Sequence, residues 1–159
     1  MLKGIDPLLT PDLLKHLCAM GHGEWVALVD ANFTADHLAR GKPVVRLPGH
    51  SLERVARAVL SVLPLASDVA RPAGYMQHAE LAAGCTTDAQ AAFIELLQRA
   101  EGLAPEQVEP IERYAFYERV GGASLIVQSG EASAYGNAIV CKGVIALDRP
   151  RHSVDAGLA

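Results

Sequence analysis

The sequence has little cysteine, few aromatic residues and no excess of basic charge, and each shortage excludes a class of protein. Its three cysteines, Cys18, Cys85 and Cys141, lie far apart without a Cys-x-x-Cys pair, which argues against a disulfide framework or a zinc knuckle. We expect all three to be reduced, mostly packed thiols. The net charge of −4 offers no basic face to the phosphate backbone of a nucleic acid.

Long apolar runs are also missing. The longest, at 55–65 and 79–83, are broken by Gly, Pro or charge well short of the ~20 residues that a membrane span needs. The opening residues lack the apolar core and cleavage site of a signal peptide. We therefore expect a protein that has no membrane contact and stays in the cytoplasm.

What remains is the composition of a globular domain, with 50% hydrophobic and 20% charged residues. The mean hydropathy of +0.18 is high for a small monomer, so we expect apolar surface to be buried between subunits. No repeat or linker divides the chain. The sequence predicts a single domain over residues 1–145 and a flexible extension over 146–159, where periodicity is lost.

Helices and strands alternate along the chain. Thr10 before Pro11 predicts a helix that ends at Gly21 in left-handed backbone. The apolar run at 25–29 predicts a strand buried on both faces, followed by a loop at 31–42. Further strands are predicted at 43–47, 73–78, 108–111, 125–129 and 138–141, and further helices at 51–63, from 86 or 87 to 101, and at 116–120. This order predicts a three-layer α/β/α fold with a mostly parallel mixed sheet.

Two candidates for acid–base chemistry lie at opposite ends of the first strand. His22 stands between Gly21 and Gly23, where a sharp turn presents an imidazole suited to proton transfer. Asp30 follows the strand, at the edge where open α/β sheets bind ligands. Each also fits an ordinary role, His22 as a solvated loop residue and Asp30 as a turn or cap residue.

The length of that strand limits how these two residues cooperate. An advance of about 3.3 Å per residue places its ends ~16 Å apart. His22 and Asp30 of one chain therefore cannot easily touch the same atom. Either the turn at 23–24 folds back along the strand, or the pocket lies at a subunit boundary and draws on two chains; we favour the boundary.

Two arginines occur near the predicted strand at 108–111. Arg113 follows that strand, and its planar guanidinium suits two sugar hydroxyls or a ring oxygen. Arg119 is expected at a solvated helix position. The alternative for Arg113 is a surface salt bridge with one of three neighbouring acids, Glu109, Glu112 or Glu118.

A turn that suits a neutral polyol precedes the last predicted strand. Gly136 allows the backbone to approach a ligand closely, while the phenol of Tyr135 and the amide of Asn137 offer donors and acceptors. The alternative is an ordinary hairpin-like connection in which Asn137 is only a turn residue.

No metal or nucleotide site is predicted. The loop after the first strand mixes possible ligands, but their spacing matches no calcium loop or zinc helix. The Gly121-Gly122 pair follows a helix and carries no Lys-Ser or Lys-Thr, so it is no phosphate cradle. Three other histidines are expected to be surface or core residues: His37, His50 and His78.

Taken together, these motifs resemble the fucose and ribose mutarotase (pyranase) family over residues 2–144. The matching segments are Pro7–Leu14, Met20–Glu24, Asp30–Phe33, Arg113 with Phe116–Arg119, and Gly130–Glu131 with Tyr135–Asn137. The Phe-Tyr-Glu-Arg and Tyr-Gly-Asn segments resemble the fucose branch more than the ribose branch. Glu24 and Thr34 depart from that branch, which often has Asp and Pro there.

The resemblance implies a decameric, metal-free α/β isomerase that needs no cofactor and interconverts the ring forms of a monosaccharide, with L-fucose favoured. It implies His22 as the proton donor, and Asp30, Arg113 and the segment 135–137 as sugar-binding positions. Tyr135 is either a second proton carrier or a hydrogen-bond donor. Two alternatives stay open: a D-ribose pyranase, and a sugar-binding or transport-accessory protein without catalysis.

Overall fold

The computed structural model describes residues 2–82 and 84–145, and within them the strands form one six-stranded sheet. The strands are β1 (Trp25–Val29), β2 (Val44–Leu47), β3 (Ala73–Met76), β4 (Val108–Ile111), β5 (Leu125–Ser129) and β6 (Ala138–Cys141). The helices are α1 (Pro11–Ala19), α2 (Ala35–Ala39), α3 (Leu52–Leu60), α4 (Asp88–Glu101) and α5 (Arg113–Gly121), with a 3₁₀ turn at Pro105–Gln107. The predicted extension at 146–159 lies outside the described residues.

The sheet is mixed, in the order β2-β5-β1-β6-β3-β4. β1 runs parallel to β5 and antiparallel to β6, while β3 is parallel to β4 and antiparallel to β6. The predicted mixed α/β fold is therefore confirmed. One consequence matters for the site: because β6 is antiparallel to β1 and β3, its start lies at the same edge of the sheet as the carboxyl ends of these two strands.

Two apolar clusters cover the two faces of the sheet. In β1, Val26 and Leu28 belong to the cluster that α1, α3 and α4 complete. Ala27 and Val29 belong to the cluster that α2 and α5 complete, with Phe116 at its centre. Alternate side chains of a strand point to opposite faces, so an uninterrupted apolar run marks a strand buried on both sides.

Side-chain caps fix where the helices begin. Thr10 accepts a hydrogen bond from the Leu13 amide, and Thr87 forms a reciprocal capping box with Gln90 at the start of α4. The predicted end of α1 is wrong in detail. The helix ends at Ala19, Met20 is extended, and the left-handed residue is Gly23 (φ 79°) rather than Gly21.

Several predicted boundaries are corrected. The predicted loop at 31–42 contains α2, whose polar sequence hides the two residues, Ala35 and Leu38, that it buries. α3 ends at Leu60 instead of residue 63, and β3 ends at residue 76 instead of 78. α5 begins at residue 113 instead of 116, because the carboxylate of Glu112 caps two of its first amides.

Lysine 42 joins α2 to α5. The Lys42 Nζ donates hydrogen bonds to the carbonyls of Leu38, Val120 and Gly121, at 3.1, 2.9 and 2.7 Å. These carbonyls lie at helix ends, where they have no partner within the helix. Burial lowers the pKa of Lys42, and the positive charge of Arg40 lowers it further. The contacts fix the distal end of the helix that carries Arg113.

The exposure of the cysteines differs from the prediction. Cys141 is buried, but Cys18 and Cys85 are exposed, so the expectation of mostly packed thiols is wrong for two of the three. All three thiols are free. Among residues 2–82 and 84–145, none of the helices has the length and apolar character to cross a membrane.

Candidate active site

A cleft of about 540 Å³ opens at the edge of the sheet where β1, β3 and β4 end and β6 begins. Such a volume lies within the range of small-molecule sites. Its lining combines carboxylate, amide, guanidinium and phenol groups with an apolar wall. The lining residues are Asp30, Asn32, Phe33, Thr34, Met76, Arg113, Tyr117, Ala134, Tyr135 and Asn137.

Asp30 is the buried acid of this cleft, with 6% of its surface exposed. Its carboxylate accepts hydrogen bonds from the backbone amide of Asn32 at 2.9 Å and from the side-chain Nδ2 of Asn137 at 2.7 Å. Burial raises the pKa of Asp30, and these hydrogen bonds oppose the rise. A carboxyl group with a raised pKa in a cleft is suited to binding a hydroxyl or exchanging a proton.

Asn137 holds Asp30 on two sides. Besides donating to the carboxylate, its side-chain oxygen accepts a hydrogen bond from the Asp30 backbone amide at 2.9 Å. The contact joins the end of β1 to the start of β6, 107 residues later in the chain. The Asn137 Nδ2 also faces the Met76 sulfur, a weak acceptor, at 3.9 Å.

The turn before β6 is built for close approach. Tyr135 has left-handed backbone (φ 60°), which is uncommon for a residue other than glycine. At Gly136, an added Cβ would lie 2.6 Å from the Glu131 Cγ and 3.0 Å from the Ser133 carbonyl oxygen. Only glycine therefore lets the turn lie against Asp30 without displacing its neighbours.

Gln90 stabilises this turn by hydrogen bonds to the backbone, a role that could not be seen in the sequence. It is fully buried, and its Nε2 donates to the carbonyls of Met76 at 2.7 Å and Tyr135 at 3.2 Å. Its Oε1 accepts from the Thr87 amide as part of the capping box. The Thr-x-x-Gln spacing signals a helix start, but the bonds to the cleft wall depend on tertiary structure.

Arg113 lies at the mouth of the cleft as the first residue of α5. Its Nε donates to the Tyr117 hydroxyl at 3.0 Å, and its guanidinium lies 5.6 Å from the centre of the same ring. Tyr117 was also missed as a site residue. The alternative of a salt bridge to a neighbouring glutamate is not seen: Glu109 binds Arg119 and Glu112 caps α5.

Arg119 is not solvated as predicted. Its guanidinium pairs with Glu109 at 2.6 Å and lies 5.5 Å from the ring centre of Trp25. These contacts hold α5 against the sheet, because Glu109 lies on β4 and Trp25 on β1. Arg119 is not among the residues lining the cleft.

The apolar side of the cleft consists of Phe33, Met76 and Tyr117. The rings of Phe33 and Tyr117 meet edge to face, with centres 5.6 Å apart. His78 lies beside the cleft and stacks on Tyr135 with ring centres 4.2 Å apart. His78 thus borders the site, although no feature of the sequence distinguished it from the other histidines.

His22 is the one predicted site residue that the fold does not bring to the cleft. It lies at the opposite end of β1, where its Nε2 is 2.9 Å from the Asp68 Oδ1. The turn after it does not fold back along the strand, because Gly23 and Glu24 continue the pairing with Lys142 of the neighbouring strand end. Within one protomer, this turn therefore does not carry His22 towards Asp30.

The described parts of the chain lack a cluster of metal ligands. In residues 2–82 and 84–145, no three His, Cys, Asp or Glu side chains gather closely enough to hold a metal ion. In the loop after β1, Asp36 pairs with Arg46 at 2.6 Å, and the Asp30 carboxylate bonds Asn32 and Asn137. The groups of the cleft are suited to hydroxyls and to proton exchange.

Comparisons with known proteins connect this geometry to a family. Residues 3–145 match the RbsD / FucU transport protein family. The chain is 37% identical to the fucose mutarotase of Homo sapiens over 150 residues, which cover 92% of this chain and 96% of the relative. It is 38% identical to the L-fucose mutarotase of Glaesserella parasuis over 146 residues, which cover 91% and 96% of the two chains.

Solved structures show the same similarity. The fucose mutarotase of Streptococcus pneumoniae, solved in complex with L-fucose, superposes with a TM-score of 0.79 at 31% identity, covering 91% of this chain and all of the other. The Bacillus subtilis RbsD, solved with D-ribose, has a TM-score of 0.70 at 19% identity over 92% of this chain and 100% of the other. At that identity the second match shows only a shared fold.

Proposed function

The chain belongs to the RbsD / FucU family, and on that basis we propose that it is a sugar mutarotase, an isomerase that interconverts the anomers of L-fucose. The observation that carries the proposal is the cleft itself. It combines a buried Asp30–Asn137 pair and a guanidinium with apolar side chains, in a chain that matches fucose mutarotases along nearly its whole length.

The cleft suits a 6-deoxyhexose for chemical reasons. Such a sugar offers hydroxyl groups on one part of its surface and C–H groups and a methyl on another. Asp30, Arg113 and Tyr135 bind the hydroxyls, with Asn137 orienting Asp30 and Gly136 permitting close approach. The apolar wall of the cleft receives the C–H and methyl groups.

The reaction is acid–base chemistry without a cofactor. A base removes the proton from the anomeric hydroxyl while an acid protonates the ring oxygen. The bond between the anomeric carbon and the ring oxygen breaks, which gives the open-chain aldehyde. Rotation of the carbonyl and reclosure with reversed proton transfers give the other anomer. His22 is the proton-transfer residue in this proposal, and Tyr135 is a second carrier or a donor.

His22 must then come from another copy of the chain. Within one protomer it lies at the end of β1 opposite Asp30, and the intervening strand is ~16 Å long. We therefore propose a cytoplasmic homo-oligomer, a decamer by the family resemblance, in which each cleft receives His22 from a neighbour. The high mean hydropathy of the sequence agrees with buried surface between subunits.

The function is tested by anomeric exchange in saturation-difference NMR, at a pH where spontaneous exchange is slow. L-Fucose, D-ribose and D-galactose are compared in the same assay. We expect the fastest exchange with L-fucose, and a loss of ~10²–10⁴-fold in the variant His22→Ala with the oligomer intact. Acceleration with D-ribose alone would favour a pyranase, and sugar binding without acceleration would favour a non-catalytic binding protein.

The shared site is tested by mixing inactive variants. His22→Ala and Asp30→Asn chains are co-expressed and the mixed oligomers purified. If each site uses the two residues from different chains, random assembly restores about a quarter of the sites. If both residues act from one chain, no site is restored. Oligomers of each single variant are the controls.

A further inference from the structure

We propose that His78 is a positioning residue for Tyr135, whose phenol it holds ready to donate a hydrogen bond to the sugar. The inference rests on the proposed function, and it makes Tyr135 a hydrogen-bond donor rather than a second proton carrier. The observation behind it is the packing of the two rings, whose centres lie 4.2 Å apart with their planes inclined by 37°. Tyr135 lines the cleft, whereas His78 is not among its lining residues, so His78 acts through Tyr135 and not on the sugar.

Tyr135 needs support because of its place in the chain. It follows three exposed residues, 132–134, and its own backbone is left-handed (φ 60°). Such backbone is uncommon for a residue other than glycine and persists where surrounding contacts hold it. The Gln90 Nε2 donates to the Tyr135 carbonyl at 3.2 Å, which fixes the main chain. That bond does not restrain the side-chain torsions, so the direction of the phenol depends on what packs against its ring.

The main chain that leads to His78 is tied to both neighbours of β3. The Met76 amide donates to the Asn137 carbonyl at 2.9 Å, on the side of β6. The Gln77 amide donates to the Ile111 carbonyl at 2.8 Å, on the side of β4. His78 therefore follows directly after backbone that is held on both sides.

The imidazole of His78 is held as well. The Glu80 amide donates a hydrogen bond to the His78 Nδ1 at 3.2 Å. Neutral imidazole has one acceptor nitrogen and one nitrogen that carries hydrogen, so this bond places the hydrogen on Nε2. The same bond fixes the rotation of the ring. The ring that packs against Tyr135 is thus anchored to backbone, and it can restrain the phenol.

An ordered phenol changes the affinity for the sugar and not the chemistry. A side chain that is already immobile loses less freedom when the sugar binds, an effect of about threefold to tenfold in affinity for one side chain. A hydrogen bond that is equally strong in the bound sugar and in the transition state affects KM and leaves kcat unchanged. The expected signature of losing the contact is therefore a higher KM at constant kcat.

Three substitutions of His78 separate its ring from its hydrogen bond. His78→Ala removes both, His78→Phe keeps a ring without the acceptor nitrogen, and His78→Asn keeps an acceptor without a ring. In the exchange assay with L-fucose, we expect His78→Ala and His78→Asn to raise KM about threefold to tenfold with kcat within about twofold of the parent. His78→Phe recovers most of the affinity. The matched control is His37→Ala, which removes an exposed histidine on α2 and should match the parent.

Three outcomes of this comparison would overturn the inference. An unchanged KM in His78→Ala would show that Tyr135 needs no support from His78. A KM restored by His78→Asn but not by His78→Phe would assign the effect to the Glu80 contact instead of the ring. A fall in kcat at unchanged KM would place His78 in proton transfer instead of positioning.

A double-variant comparison tests whether His78 acts through the phenol. Tyr135→Phe keeps the ring and removes the hydroxyl that donates to the sugar. In this background, His78→Ala should add no further rise in KM, because no donor is left to position. An additional rise would overturn the route through Tyr135.

The order of the phenol is measured without relying on catalysis. In chains labelled with ¹³C at the tyrosine Cζ, the Tyr135 signal is identified by its absence from Tyr135→Phe. The Cζ atom lies on the ring axis, so flips of the ring do not split its signal. We expect one sharp signal in the parent and a broadened or split signal in His78→Ala, and identical line shapes would contradict the proposal. Absence of accelerated exchange in the parent would instead reject the proposed function, and this NMR readout does not depend on it.

Discussion

The two ends of β1 differ in how much of their chemistry is fixed in advance. At the carboxyl end, Asp30 is buried and bonded to Asn137, and the surrounding turn is supported by a fully buried glutamine. At the amino end, the His22 side chain is 44% exposed, and its Nε2 lies 2.9 Å from the Asp68 carboxylate. In terms of the proposed function, the comparison teaches that one protomer holds the proposed sugar-binding residues in a buried network and presents the proposed proton-transfer residue at its surface.

Among variants that retain His22, the largest change is expected from Asn137→Ala, which removes the hydrogen bonds that hold Asp30 in place. The variant leaves the Asp30 carboxylate and backbone amide without their partner, which costs about 1–3 kcal/mol of unfolding free energy. We expect kcat/KM for L-fucose to fall on the order of a hundredfold, since orientation of Asp30 is lost as well. Urea unfolding and the NMR exchange assay measure the two effects.

The control for Asn137→Ala is Gln98→Ala, which truncates an exposed amide on α4. Its stability and exchange rate should match those of the parent. If Asn137→Ala kept its rate while losing stability, preorganisation of Asp30 would not matter to the reaction, and the contrast between the two ends of β1 would be only a difference in burial.

A smaller effect is expected from Gln90→Leu, which keeps the volume of the buried side chain and removes its bonds to the cleft wall. We expect KM to rise about tenfold because the left-handed Tyr135 loses the donor to its carbonyl. Thr87→Ala is the matched variant, since it breaks the same capping box without touching the cleft. It should lose ~1 kcal/mol of stability with KM unchanged. Equal KM values for both variants would show that the wall needs no support from α4.

The smallest expected effect is on the pH dependence of stability. The contributions of Asp30 and Glu24, which lie at opposite ends of β1, change with pH in opposite directions. Burial raises the pKa of Asp30 above its ordinary value of 3.8. Its folded state therefore favours the protonated form, and stability is lost as pH rises through the folded pKa. Near His22, hydrogen bonds from Gly21 and Ser124 lower the pKa of Glu24 below 4.5. Its contribution is present above 4.5 and is lost as pH falls through the folded pKa.

Unfolding free energies of the parent, Asp30→Asn and Glu24→Gln, measured across acidic pH, resolve these contributions. As pH rises, the stability of Asp30→Asn relative to the parent should increase. The stability of Glu24→Gln relative to the parent should decrease. If the differences in unfolding free energy between each variant and the parent changed with pH in the same direction, the contrast between a buried and an exposed end would be contradicted.

The sequence predicted the sheet well because its strands are short apolar runs bounded by turn residues. It also placed Asp30 at the edge where open α/β sheets bind ligands. The family resemblance, and not the strand pattern, implied Asp30, Arg113, Tyr135 and Asn137 as one set, and all four line the same cleft. The small helix α2 was missed because a one-turn helix with a polar exterior looks like a loop. The start of α5 was missed because the capping acid, Glu112, also looked like a salt-bridge partner.

The supporting residues of the site could not be predicted, for a physical reason. Gln90 reaches the Tyr135 carbonyl 45 residues away, and Asp68 reaches His22 from 46 residues away. Neither contact leaves a periodic or local signal in the sequence. Tyr117 had a signal in the Phe-Tyr-Glu-Arg segment, but its place in the cleft depends on α5 beginning at Arg113.

The pairing of β1 has a consequence for how the protein is made. β1 lies between β5 and β6, so Val26 pairs with Leu125 on one side and Val140 on the other. A ribosome releases this apolar strand long before either partner exists. Contacts so distant in sequence favour slow folding and prolonged exposure of aggregation-prone surface. The nascent chain therefore has to shield β1 until β5 and β6 have been synthesised, and the Asp30–Asn137 bond can form only after residue 137 has been added.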